Sequence, residues 1–486
     1  MAADVHLNYV DNVYCRVVCE AGILMELSEF FTFYAENYKF SPKYVGKGGS
    51  WDGKIRLINN LTRLVYVGLA HRIKKYCDQH GYSFSFDTKL TYDNVSEKEL
   101  LDFIKTLNLP FEPRDYQIKA VLKSVRSKRR IILSPTSSGK SLIIYMIMRW
   151  YGLKTLLIVP TTGLVTQMAS DIKSYGYDKE ICTSIDGLER GKIKEDIVVT
   201  TWQALSNGKT EVHESWYKQF DVVIVDECHG AKAAMVTSIL KKMPNVEYRF
   251  GTTGTLDEVE LNQLTIEGLF GPQYKTITTR EMIDQGYASK LVIKCIVLKY
   301  PEDECRLVKQ MTYDEETKYL ITHEKRNKFI SNLVNSLKGN KLVFYNSVEH
   351  GDALQELMDD GDASFFRIDG SVNAKERERI RILLEEEENA KFLASLKTTA
   401  TGVSVNRLHH MIPAQPSKSK IRVMQSIGRM LRLHEEKEQV GATLYDIVDD
   451  FSYGKTENYS VQHYKARLRL YDADKFEYKI YNVRIT

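Results

Sequence analysis

The sequence predicts an α/β protein in which two doubly wound parallel-sheet domains follow a small mixed α/β domain. Three observations carry this expectation. The chain has 486 residues, more than one ordinary core holds, since domains usually run to about 100–200 residues. From about residue 106 onward, short apolar runs alternate with helical segments, the pattern of strands buried on both faces of a parallel sheet. That alternation occurs twice, after a segment of different texture. The expected boundaries are 1–105, 106–288 and 289–486, with Gln285–Ser289 as a plausible hinge.

In the first segment Tyr14–Val18 is β-branched and aromatic and reads as a strand. Leu24–Tyr38 reads as an aromatic-rich helix, and Trp51–Leu57 as a turn leading into a strand. Ser96–Leu107 has helical apolar spacing behind a Ser cap, with Glu97 and Glu99 in its first turn. Buried strands are expected at Arg130–Leu133, Thr155–Val159, Ile197–Thr200, Val222–Val225 and Arg249–Thr252. The second block repeats them at Leu342–Tyr345, Ser364–Ile368, Phe392–Ser395, His409–Ile412 and Thr443–Asp446. Basic residues at helical spacing fill Asn458–Lys475, and Tyr478–Ile485 alternates like a strand.

Composition narrows the class. Hydrophobic residues at 43% and charged residues at 27% suit a folded globular chain and exclude a disordered one. The formal charge is only +4, from 68 basic and 64 acidic residues, so a polyanion binder of this balance must concentrate its basic groups locally. The seven cysteines cannot all pair, and beyond Cys15 and Cys19 no second close pair completes a zinc set. A reduced intracellular setting follows. No apolar run approaches the roughly 20 residues that span a bilayer, and the N-terminus lacks the order of a signal peptide. A soluble cytoplasmic monomer with no membrane partner is expected.

The strongest chemical signal is Ser134-Pro-Thr-Ser-Ser-Gly-Lys-Ser141, between an apolar strand and a helix. Such a loop turns backbone N–H groups and a helix N-terminus toward phosphate oxygens. Thr136, Ser137, Ser138 and Gly139 would cradle the phosphates, Lys140 would reach the β- and γ-phosphates of ATP, and Ser141 would ligate Mg2+. Ser134 stands where the strict pattern has Gly. The second signal is Val222-Val-Ile-Val-Asp-Glu-Cys-His229, an apolar strand ending in two carboxylates. Asp226 would hold the Mg2+ and Glu227 would orient and deprotonate the attacking water.

Together these motifs resemble those of superfamily-two helicases, in the family's order over residues 111–450. Arg114-Asp-Tyr-Gln117 looks like its adenine-recognition motif, with Gln117 on the base edge and Tyr116 or Phe111 stacking on the ring. Val159–Gln167 and Val199–Leu205 resemble its strand-tracking motifs, which nominates Thr161, Thr162, Thr200, Thr201 and Trp202 for nucleic-acid contact. Thr253-Gly254-Thr255 takes the place of the Ser-Ala-Thr-like coupling motif. Gln425-Ser-Ile-Gly-Arg-Met-Leu-Arg432 matches the Gln-x-x-Gly-Arg-x-x-Arg pattern in full, which implies Gln425 on ATP and Arg429 and Arg432 as arginine fingers. Thr398–Ser404 resembles the motif that links nucleotide state to the strand, through Gly402 and Ser404.

The resemblance extends to the UvsW-type recombination and repair helicases of large tailed bacteriophages, through Tyr38–Lys43, Trp51–Leu57 and Glu324–Lys328. It implies an ATP site between two RecA-like domains. It also implies ATP-dependent helicase or translocase action on branched, single- and double-stranded DNA: junction migration, fork regression and dissociation of RNA–DNA hybrids in recombination, repair and replication. Single-strand-binding or recombination proteins would be partners, and the host cytoplasm the place of action. An RNA helicase and the translocating subunit of a restriction complex are the alternatives.

In the first segment Lys39, Lys43, Lys47, Lys54, Arg56 and Arg63 surround Tyr44 and Trp51. Such a patch suits a duplex backbone, with Lys54 and Arg56 as contacts. It reads equally as a solvated face around a core Trp.

Overall fold

A computed structural model describes residues 3–35, 37–87, 93–183, 193–206, 214–229, 233–255, 259–359, 364–370, 372–395, 407–415, 427–428, 431 and 441–485. They form two compact units, residues 1–134 with 139–276, and residues 277–486 with the short segment 135–138.

The first unit opens with four strands, β1 (Val5–Tyr9), β2 (Tyr14–Cys19), β5 (Leu64–Tyr66) and β6 (Phe84–Phe86). They form a mixed sheet of order β5-β2-β1-β6. Asp11 sets the β1–β2 hairpin, because its carboxylate accepts the N–H groups of Val13 (2.6 Å) and Tyr14 (2.8 Å). Alternation then turns Val5, Leu7, Cys15 and Val17 inward. The expected helix over Leu24–Tyr38 is corrected: it spans Ala21–Phe30, and the chain then enters β3 (Thr32–Tyr34). Three β-formers there pair antiparallel with β4 (Lys54–Arg56), Phe33 opposite Ile55, and that pairing overrides the helical spacing upstream.

Seven strands follow: β7 (Arg129–Leu133), β8 (Thr155–Val159), β9 (Ile181–Cys182), β10 (Ile197–Thr201), β11 (Val222–Asp226), β12 (Tyr248–Thr253) and β13 (Gln273–Lys275). Their sheet has the order β13-β7-β12-β11-β8-β10-β9 and is parallel at every pairing. Period-2 alternation splits its side chains between two cores. Ile132, Leu157, Val199 and Ile224 face the helix Lys140–Tyr151, whereas Ile131, Leu156, Val198 and Val223 share one continuous core with the N-terminal Val5, Leu7, Cys15 and Val17. The small sheet is thus built onto this domain and not merely tethered to it. At the junction a Cβ on Gly68 would lie 2.2 Å from the Glu267 carbonyl oxygen, so only glycine allows that approach. The buried Glu267 carboxylate receives Arg72 through Nε (3.0 Å) and Nη2 (2.9 Å), and His71 Nε2 lies at 2.5 Å.

The second unit carries β14 (Leu291–Lys299), β15 (Lys341–Tyr345), β16 (Phe365–Ile368), β17 (Lys391–Ser395), β18 (His410–Pro413), β19 (Ala442–Asp450) and β20 (Tyr478–Arg484). These pair as a second parallel sheet, of order β16-β17-β15-β18-β19-β14-β20. Arg326, from the Glu324–Lys328 segment, is fully buried. It grips Asp449 through Nε (2.6 Å) and Nη2 (3.0 Å) and donates to the Ala414 carbonyl (2.6 Å), tying the ends of β18 and β19 together. That segment therefore has a structural part in this domain.

Candidate functional site

The site in the first unit forms where β7, β11 and β12 end. Loops at the carboxyl ends of parallel strands are where ligands meet such sheets. The chain leaves β7 through residues 134–139 and enters the helix Lys140–Tyr151. Ser137 and Gly139 both take the left-handed conformation, φ +67° and +76°. A Cβ on Gly139 would sit 2.3 Å from Gln117 Nε2, so the loop is a cradle that any larger residue would fill. Buried Ser138 turns its hydroxyl to the Pro135 carbonyl (2.6 Å).

Lys140 and Glu227 meet here. The Lys140 ammonium donates to Glu227 Oε1 (3.2 Å) and lies 3.4 Å from the Ser134 carbonyl. Glu227 follows β11 directly at φ +51°, a backbone state that costs a non-glycine residue about 1 kcal/mol or more and that gathers at functional sites. Burial penalises the Lys140 charge, but Glu227 and Asp226 outweigh it and hold the ammonium above its ordinary pKa. Burial likewise works against the Glu227 carboxylate, yet Lys140 and the hydrogen bond from His229 bring it well below the carboxylate range. Asp226 moves the other way, raised by burial and by the neighbouring Glu227 charge, with Lys140 and the Thr252 hydroxyl (2.6 Å) opposing.

The Thr253-Gly254-Thr255 departure acquires a geometry. Thr253 Oγ1 lies 2.5 Å from His229 Nδ1 and 3.3 Å from Glu227 Oε2, and His229 Nδ1 lies 3.2 Å from the same carboxylate oxygen. A threonine hydroxyl thus stands between the β11 loop and the end of β12.

Other candidates are held differently. Gln117 is buried, its oxygen accepting the Arg114 N–H (2.8 Å) and its amide facing the Gly139 carbonyl at 3.5 Å. Tyr116 is also buried, with its hydroxyl receiving Arg114 Nη1 (3.0 Å), whereas Phe111 is half exposed and meets Tyr175 edge-on at 5.8 Å. Ser141 Oγ lies 2.7 Å from the Tyr175 hydroxyl, a partner that no motif signals. Thr161 caps the helix Thr162–Ser174 by accepting the Leu164 N–H (3.4 Å), and Thr162 is exposed beside it. Thr200 and Thr201 are buried, Thr201 accepting the Ala204 N–H (3.3 Å), and Trp202 packs partly buried against the core. Lys54 and Arg56 lie far along the chain on β4. Arg429, Arg432, Gly402, Ser404 and Gln425 lie outside the described residues. Among the described residues no group of three or more His, Cys, Asp or Glu side chains could hold a metal, and no helix is long and apolar enough to cross a membrane.

The glycine cradle, the buried ammonium and the paired carboxylates fit a nucleoside triphosphate, and Ser141 and Asp226 supply the hard oxygen donors that Mg2+ takes.

Comparison with known proteins follows this geometry. Three family models match: DNA helicase UvsW, N-terminal, at residues 4–87; type III restriction enzyme, res subunit, at 110–258; and helicase conserved C-terminal domain at 324–434. The chain is 34% identical to the ATP-dependent DNA helicase uvsW of Enterobacteria phage T4, over 99% of its own length and 100% of that protein's. It is 25% identical to the DNA 3'-5' translocase XPB2 of Sulfurisphaera tokodaii, over 76% of this chain and 79% of that one. The crystal structure of T4 UvsW superposes with a TM-score of 0.50 at 32% identity, covering 99% of this chain and 100% of that one. The DNA-bound type ISP restriction-modification enzyme LlaBIII shares the fold, with a TM-score of 0.57 at 15% identity over 77% of this chain and 32% of that one.

Proposed function

Because this chain belongs to the UvsW family of phage DNA helicases, and is thus an ATP-hydrolysing motor on nucleic acid, we propose that its substrates are branched DNAs. On this reading it migrates junctions, regresses forks and dissociates RNA–DNA hybrids during recombination, repair and replication, in company with single-strand-binding or recombination proteins. The observation that carries the reading is a basic, aromatic β3–β4 ribbon whose Phe33 packs against the core that the N-terminal sheet shares with the nucleotide-binding domain. A DNA contact made there belongs to the same compact unit as Lys140 and Glu227.

The chemistry follows from the residues. The Lys140 ammonium is already desolvated and held at the helix N-terminus, where it would pair with the terminal phosphates of ATP. That pairing competes with Glu227, which then has a free carboxylate oxygen to orient a water. Thr253 and His229 would report that change to the end of β12. Phe111, with its exposed ring, is the better stacking surface for adenine than Tyr116. Mg2+, held by Ser141 and Asp226, would neutralise charge on the phosphates, with Tyr175 giving up the Ser141 hydroxyl. Arg429 and Arg432 would stabilise charge in the transition state, so Arg429→Ala should still bind ATP but hydrolyse it on the order of 10³-fold more slowly or worse. Normal steady-state hydrolysis by that variant would remove the role.

The decisive experiment compares ATP turnover with single-stranded DNA, duplex DNA, four-way DNA and RNA. Branched DNA should stimulate most, and equal or greater stimulation by RNA would sink the reading. A second reading, a translocase that moves along duplex without unwinding it, draws on the restriction-enzyme match at 110–258. Duplex-stimulated turnover without strand displacement would favour it.

A further inference from the structure

The β3–β4 pair is a two-stranded ribbon, and in its connection the stretch 37–53 projects the most exposed aromatic side chain of the described protein. Phe40 is 74% exposed, and Tyr34 at the end of β3 is 56% exposed. Large apolar rings seldom stand this far into water without a partner. Each carries a cation: Lys47 Nζ lies 5.6 Å from the Phe40 ring centre, and Lys54 Nζ 5.3 Å from that of Tyr34.

The connection is braced. Tyr34 stacks on Tyr38 at 4.7 Å, and Tyr38 meets Tyr44 edge-on at 5.1 Å. Trp51 is a brace as well: its backbone bridges to Lys43 and Val45 (both 2.8 Å) and its indole N–H donates to the Lys54 carbonyl (2.9 Å). The aromatics that the sequence singles out, Tyr44 and Trp51, therefore hold the ribbon together, and the free ring is Phe40.

Charge says what such a tip meets. Residues 35–56 carry five basic and two acidic residues, and one of the acids, Asp52, is taken by Arg56 (2.5 Å). Lys39, Lys43 and Lys47 are exposed and make no ion pair among the described residues. A flat ring set among ammonium groups that lie on aromatic rings or in solvent, and have no carboxylate partner among the described residues, matches a ligand with a flat face beside a polyanionic backbone, which is a nucleobase in a strand. A partner offering only apolar surface would leave the lysines desolvated without counter-charge.

We propose that Phe40 stacks on the last base pair where a DNA duplex opens into single strands, while Lys39, Lys43 and Lys47 hold the flanking phosphates. The proposal deepens the branched-DNA reading and rests on it. Phe40 would be a positioning residue at the point of strand separation, carried by the same compact unit as Lys140.

A forked duplex with 2-aminopurine at the last pair before the fork, set against one with the probe in mid-duplex, tests this with the full-length protein. Wild type should change the fork probe's fluorescence and leave the mid-duplex probe alone. Phe40→Ala should lose that signal and bind the fork about tenfold more weakly, with unchanged affinity for blunt duplex and unchanged turnover on single-stranded DNA. Phe40→Trp should keep the signal. If Phe40→Ala unfolds, Phe40→Leu replaces it, since it keeps the apolar bulk and loses the flat face. A full fork signal in the soluble Phe40→Ala or Phe40→Leu variant would overturn the proposal. The branched-DNA reading is judged separately, by whether four-way DNA stimulates turnover more than single strands; if it does not, that reading falls while the fork probe still decides for or against the stack.

Discussion

The Lys140–Glu227 site and the β3–β4 ribbon belong to one compact unit and treat charge in opposite ways. Around Lys140 the charges are mostly withdrawn from water: Lys140 pairs with Glu227, His229 lies against the same carboxylate, and Asp226 accepts the Thr252 hydroxyl. On the ribbon Lys39, Lys43 and Lys47 stand in solvent with no carboxylate beside them among the described residues. Buried charges that satisfy each other are fixed in place and shift one another's pKa values, which suits chemistry on a small anion. Exposed charges that pair with nothing release counterions on meeting a polyanion, which suits a long, exchangeable ligand. Substitutions in the two regions should therefore separate turnover from DNA binding.

The largest effect is expected at Lys140. Lys140→Ala removes the cation that balances Glu227 and Asp226 and takes the terminal phosphates, so ATP turnover should fall on the order of 10³-fold. Fork affinity measured by fluorescence anisotropy without nucleotide should stay close to wild type. A variant that keeps its turnover would contradict the site; one that loses both functions would break the separation of the two regions.

A second effect tests the junction on which the separation depends. Glu267 is buried, which by itself favours its neutral form, but His71 and Arg72 outweigh burial and hold its pKa below the ordinary value. A carboxylate lowered in the fold contributes stability at neutral pH and loses it as pH falls through its folded value. Glu267→Gln should cost about 2 kcal/mol at neutral pH and give a flatter decline in thermal unfolding temperature on acidification. Parallel pH profiles for the two proteins would rule out this carboxylate as the source.

How much of this could be read beforehand depends on the length of the signal. In the first large sheet β7, β8, β10, β11 and β12 are five or six residues long, and β-branched and apolar residues fill Thr155–Val159, Ile197–Thr201 and all but the last place of Val222–Asp226. Such runs leave little alternative to a buried strand. The Lys140–Glu227 meeting was legible because each half has its own motif. β3 holds three residues, too few to show a period, so the apolar spacing of the preceding helix ran over it, whereas β4 falls inside the strand expected at Trp51–Leu57. Tyr175 against Ser141 and Glu267 against His71 and Arg72 are single side chains brought together by the fold, and no local pattern announces such a meeting. Thr200 shows the converse: a motif nominated its hydroxyl, and the position on a central strand buries it.

Thr253 gives a smaller, sharper effect within the cradle. Its hydroxyl touches His229, Glu227 and the Thr255 backbone, so Thr253→Val removes these polar contacts at nearly constant volume. Lys140 still neutralises Glu227, so basal turnover should fall about tenfold, the size of one or two missing hydrogen bonds. The stimulation by DNA should shrink further if this hydroxyl couples the two ligands. Equal stimulation in variant and wild type would reduce Thr253 to a packing residue.

The smallest effect separates a paired charge from free ones on the ribbon. Arg56 lies on β4 with its guanidinium on Asp52 (2.5 Å), and Asp52 also accepts the Lys54 N–H (3.0 Å). A phosphate oxygen must displace that carboxylate before Arg56 can contribute, whereas Lys43 makes no ion pair among the described residues. Removing one cation from a duplex phosphate lowers the slope of log affinity against log salt by roughly 0.9. Lys43→Ala should therefore lower the slope by most of that amount, and Arg56→Ala should leave it nearly unchanged. A full-sized drop in slope for Arg56→Ala would show that DNA breaks the Asp52 pair, and would enlarge the binding face to include β4.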